Sequence, residues 1–221
     1  MSVTIDEPRA DDVGSPEPPT PVVAVKRRTI DRVLVGIGLL AIAVLATAGG
    51  LLTWGNSFSS NYVDDELASQ HISFPSAEAL TTEGRTDLLG YASQKLDTGT
   101  EAQAYAGYIN GHLAKIGGGL SYAELGVPES AAKAATQAAV TAQKPQAEID
   151  GLKAKATAIS DQRNTLFKGE TLRGLLLSAY AWSTVGRIAG IAAIVAFAAT
   201  ALMTILVALG FVHMRRAATE S

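Results

Sequence analysis

The sequence predicts an all-α membrane protein, with two transmembrane helices flanking a helical extracytoplasmic domain. Three observations carry that expectation. Two uncharged apolar runs of spanning length lie far apart in the chain. Basic residues flank both runs on the side facing the chain ends. The segment between the runs reads as capped helical stretches separated by glycine and proline turns.

Composition narrows the function classes first. The chain has 221 residues, 48% of them apolar and unevenly spread, and a net charge of -3. With no basic excess, no nucleic-acid partner is expected. Cysteine is absent, which removes disulfides, thiolate metal sites and a cysteine nucleophile together.

Residues 1–28 read as a disordered, Pro-rich cytoplasmic tail. Pro8, Pro16, Pro18, Pro19 and Pro21 stand among acidic and hydroxyl residues, and without apolar periodicity such a segment buries too little surface to offset its ordering entropy. The first span is placed at residues 33–54. Val33–Leu52 reads VLVGIGLLAIAVLATAGGLL, and at about 1.5 Å per residue some ~20 residues cross a hydrocarbon core of about 30 Å. The second span is placed at residues 187–213, where Ile188–Val212 is equally free of charge.

Orientation follows from the flanks. Lys26, Arg27, Arg28 and Arg32 precede the first span, and Arg215 and Arg216 follow the second. Positive residues stay on the cytoplasmic side, so both termini are expected there, with a short cytoplasmic tail at 214–221 and residues 55–186 outside. Trp54, Tyr180 and Trp182 fit an aromatic belt at the outer headgroup level. Ala46-Thr47-Ala48 offers a signal-peptide cleavage alternative, but the apolar run is long for a signal sequence and a long segment precedes it. The Arg27-Arg28 pair is followed by Thr29-Ile30-Asp31, a poor twin-arginine context.

Within the outer domain, Ser59 to Phe74 reads as irregular, with Asp64-Asp65-Glu66 a solvated acidic face. These adjacent carboxylates lack the alternating spacing of a calcium loop. Ser76 is expected to cap a short helix, and Thr86 to Leu96 to form another. Thr100-Glu101-Ala102-Gln103 reads as a capping box opening a helix to about Ile116, with Tyr105, Tyr108/Ile109, His112/Leu113 and Ile116 on its apolar stripe. Gly117-Gly118-Gly119 turns the chain. Ser121-Tyr122-Ala123-Glu124 is a second capping box, so Glu124 reads as a cap and not as a catalytic acid. Pro128 and Glu129 open an Ala-rich helix running to Lys144, where Pro145 interrupts it. Ile149, Leu152, Ala156, Ile159, Arg163 and Leu166 then form a heptad seam, to be covered by another helix or by a partner. Arg163 on this seam calls for an acid. From Lys168 one helix is expected to enter the second span, loosened near Gly169 or Gly174.

No residue set for catalysis or metal binding emerges. His71, His112 and His213 lack ligand spacing, there is no Gly-x-Ser-x-Gly elbow, and Gly117-Gly118-Gly119 has neither the strand nor the lysine of a phosphate loop. No cofactor is expected. The candidate ligand or partner surface is Tyr108, His112 and Tyr122. Gly186, Gly190 and Ala193 form a small-residue face for span packing, as Gly36, Ala43, Ala46 and Gly50 do on the first span. The spans can pair with each other or with another protein.

The "TWG" closing the first span, "HLAKIGGGLSYAEL" and "LFKGETLRGLLLSAYAW" together resemble a group of small actinobacterial two-span integral membrane proteins, over about Arg28 to Arg216. The resemblance implies a location and a shape. Some members carry the label of aromatic ring-opening dioxygenase, chemistry that needs an iron ligand set this chain lacks. The resulting expectation is a non-enzymatic accessory or scaffold subunit of a cell-envelope or membrane complex. Its partners are membrane lipids and either a protein or a second copy, held through the spans and the Ile149–Leu166 seam. The alternatives are an extracytoplasmic ligand- or lipid-binding sensor and a metal-dependent enzyme.

Overall fold

The computed structural model describes residues 27–219. The expectation of a disordered tail falls outside them, except that Arg27 and Arg28 already belong to helix α1, Arg27–Ser69. Four further helices follow: α2 (Ala77–Thr82), α3 (Gly99–Ile116), α4 (Gly126–Thr141) and α5 (Gln146–Thr219). A 3-10 turn at Thr86–Tyr91 joins α2 to α3. Among the described residues there is no strand, only a single antiparallel bridge between Ser73 and Lys95.

The organising element is α5. Its 74 residues run unbroken, a rod of about 110 Å at the helical rise. The inward positions recur every three to four residues along nearly its whole length. Ala156, Leu166, Leu176, Gly186, Ala193 and Val207 are all buried on one stripe, a pattern that keeps one helix face inward. Three helices cover successive stretches of that stripe. The contacts Gly126 to Arg163 and Glu129 to Ser160 put α4 near its start. Leu113 meets Gly169, and Gly99 meets Ser183, which puts α3 next. The last stretch belongs to α1, antiparallel to α5: Ser59 faces Gly186, Asn56 faces Gly190 and Val35 faces Gly210.

Two of these helices, α1 and α5, are long and apolar enough to cross a membrane. Their outward positions are greasy: Leu40 is 66%, Leu51 65% and Ile194 71% exposed. A soluble protein's core helix would bury such side chains, since each fully buried Leu or Ile contributes about 1.5–3 kcal/mol.

Beyond the apolar runs the chain forms a helical head. Its core joins Val63 and Leu67 of α1, Phe74 and Leu96 of the connecting segment, Ala102 and Ala106 of α3, and Leu176 of α5. Phe74 stacks on Tyr91 at 5.1 Å and meets Tyr105 edge-on at 5.2 Å. A second cluster, Leu113, Leu125 and Leu166, ties the α3–α4 connection to α5.

Several local expectations change. Ser59 to Ser69 is helical, not irregular, because Ser59, Val63 and Leu67 keep α1's inward period against α5. The acidic run lies on that helix with its side chains outward. Thr86 to Leu96 forms only the 3-10 turn, then a short extended piece in which Leu96 N–H donates to Ile72 O. The α3 cap is a reciprocal box of Thr98 with Glu101, two residues earlier than Thr100 with Gln103. The buried stripe of α3 is Ala102, Ala106 and Leu113, while Ile116 is 40% exposed. Helix α4 stops at Thr141, and Gln143 takes a left-handed φ of 49° before Pro145. Gly169 and Gly174 do not loosen α5. Gly169 is instead where the Leu113 side chain packs against the bare backbone. Met214 to Thr219 are helical and continue α5.

Candidate functional site

The structure divides the expected surface of Tyr108, His112 and Tyr122 into two places. Tyr108 and His112 stand one turn apart on α3, their rings edge-on at 4.6 Å. Glu83, at the C-cap of α2, reaches both. Tyr108 Oη donates to Glu83 Oε1 at 3.4 Å, and His112 Nε2 lies 3.4 Å from Glu83 Oε2. Arg85 holds Asp87 through paired bonds of 2.9 and 2.8 Å and donates from Nη1 to Gly107 O at 2.9 Å. Its guanidinium sits 6.0 Å from the Tyr108 ring centroid. The turn after α2 is thus stapled to α3 by two side chains. Burial first, then the bond to Glu83, pushes the Tyr108 hydroxyl up to about 12. At neutral pH it is a donor and not a nucleophile.

Tyr122 belongs elsewhere. Gly118 and Gly119 take φ values of 59° and 87°, a left-handed pair that side chains tolerate poorly, and the reversal carries Tyr122 to α5. Ser121 and Glu124 exchange capping bonds as expected, Ser121 N–H to Glu124 Oε2 at 2.8 Å and Glu124 N–H to Ser121 Oγ at 3.3 Å. There the Arg163 guanidinium lies 4.2 Å from the Tyr122 ring centroid, a cation–π contact, and Phe167 stands 5.6 Å away. Arg163 Nη1 donates to Glu129 Oε2 at 2.7 Å, and Ser160 Oγ donates to Glu129 Oε1 at 2.7 Å. Lys133 also binds that carboxylate. Lys133 first, then Ser160 and Arg163, holds Glu129 down at about 2. Glu129 therefore does more than favour the helix N-terminus: it anchors α4 to α5. It is the acid that Arg163 required.

The small-residue face of α5 meets α1 within the same chain. Gly186 accepts Ser59, Gly190 accepts Asn56, and Ala193 is buried between the helices. Ser59 Oγ also donates to Trp182 O at 2.6 Å. The Ile149–Leu166 seam is likewise covered by α4 and the end of α3. The small-residue face and the seam thus both meet helices of the same chain.

Sequence reasoning missed Glu83 and Arg85, whose contacts with α3 lie 25 and 22 residues away. Nothing local marks them. Among the described residues no three His, Asp or Glu side chains converge to hold a metal ion. His71 lies in the turn after α1, with a φ of 51°, and His213 is exposed on α5.

No protein-family model, no curated protein and no solved structure matches the chain.

Proposed function

We propose that this is a two-span integral membrane protein of accessory or scaffold type, akin to the actinobacterial group its motifs resemble, with residues 55–186 outside the cytoplasm. One observation carries the reading: α5 runs without interruption from the head through the second apolar run. Every other long helix packs on it. A rod of this kind holds a head at fixed height and orientation over a bilayer, as a scaffold requires. The basic residues from Arg27 to Arg32 and at Arg215 and Arg216 share the opposite end of the α1–α5 pair, in keeping with the positive-inside rule.

Among the described residues no group of three His, Asp or Glu side chains converges, whereas a ring-opening iron centre needs several such ligands. The outward faces of the spans stay exposed, and the head offers a further surface for a partner. The stacked and exposed Trp54, Phe58 and Tyr62 form an apolar patch near the head, and large exposed patches mark interaction sites.

The test is affinity purification of the full chain from native membranes, followed by partner identification and mass determination of the detergent complex. A homo-oligomer or a reproducible heteromeric complex is the expected result. A monomer that brings nothing with it overturns the scaffold reading.

A further inference from the structure

A groove of about 600 Å³ opens between α1 and α5 where the apolar run of α5 begins. Arg187 stands at its upper edge, and Ile194 and Phe197 line its lower part. Arg187 forms no ion pair with any described residue. The hydroxyls of Ser60 and Ser183, also in the lining, have no hydrogen-bond partner among the described residues. No carboxylate lines the groove. A cation with unused donors therefore sits above a trough lined on α5 by Ile191, Ile194 and Phe197, with Asn56 and Thr53 of α1 opposite.

We propose that this groove holds one anionic glycerophospholipid, its phosphate on Arg187 and its acyl chain along Ile194 and Phe197. A planar guanidinium binds phosphate oxygens through paired bonds. The volume lies within the range of small-molecule sites. A zwitterionic headgroup fits less well, because no carboxylate in the lining balances its ammonium. A free phosphate leaves the apolar half empty. The inference rests on the two-span reading and assigns that reading a lipid ligand.

The experiment uses the full-length protein in mild detergent, titrated with phosphatidylglycerol, with phosphatidylcholine of the same acyl chains, and with inorganic phosphate, and read by native mass spectrometry. Phosphatidylglycerol should bind about tenfold more tightly than phosphatidylcholine, the scale of a charge-assisted contact, and phosphate alone should not bind. Arg187→Gln should abolish the preference, while Arg187→Lys, which keeps the charge, should retain part of it. Equal binding of the two lipids, an unchanged preference in Arg187→Gln, or phosphate binding as well as lipid overturns the site. Alkaline carbonate extraction of membranes separates the two claims. Release of the protein sinks the spanning reading and the site with it, whereas retention with indiscriminate lipid binding sinks the site alone.

Discussion

Gly49 of α1 faces Phe197 of α5 so closely that a Cβ on Gly49 would lie 2.9 Å from Phe197 Cε1. Its neighbour Gly50 points away, with nothing within 4 Å of the same added atom. Two adjacent glycines in one apolar helix thus have opposite roles. Gly49→Leu should lower stability by about 1–3 kcal/mol through overpacking, while Gly50→Leu should stay within about 0.5 kcal/mol of the parent. Thermal unfolding in detergent measures both. Equal losses would show that α1 and α5 do not pair through this face.

Glu129 gives the head an acid limb of stability. Its folded pKa is about 2, held down by Lys133, Ser160 and Arg163, against an ordinary value of 4.5. A depressed carboxylate stabilises the fold above its unfolded pKa and loses that contribution as pH falls through the folded one. The contribution should therefore be complete above about 4.5 and fade towards pH 2. Glu129→Gln should flatten that part of the profile and speed amide exchange in α4. Identical pH profiles for parent and variant would show that the carboxylate's bonds to Lys133, Ser160 and Arg163 contribute nothing.

The start of α3 can be tested by two threonines. Thr98 Oγ1 accepts from Glu101 N–H at 3.3 Å, and Glu101 Oε2 accepts from Thr98 N–H at 2.9 Å. Thr98→Ala should cost about 1 kcal/mol for the lost cap, and Thr100→Ala, on an exposed position, should fall within about 0.5 kcal/mol. Urea unfolding that ranks them in reverse would put the box back at Thr100.

Topology is open to thiol labelling, because the chain has no cysteine of its own. Val127 is 77% exposed on the head. Val127→Cys should react with a membrane-impermeant maleimide added to intact cells, and Ser221→Cys only after permeabilisation. The opposite pattern would invert the proposed orientation.

By itself the sequence determined whatever depends on near neighbours. The two uncharged runs, the Ser76 cap, the Ser121–Glu124 box, the turn at Gly117–Gly119 and the α5 period from Ile149 to Leu166 are all legible. Each is set by residues within a turn or two, or by hydropathy alone. Tertiary structure decided where α1 ends, which threonine caps α3, and that Gly169 is a packing site in an unbroken helix. It also separated Tyr122 from Tyr108 and His112, and gave Glu83, Arg85 and Glu129 their partners. In most of these the deciding free energy comes from burial against α5 or from a polar contact across many residues, while the Thr98–Glu101 box is local. Such a contact leaves no mark in the local pattern, since either partner alone is an ordinary surface residue until the chain closes on the other.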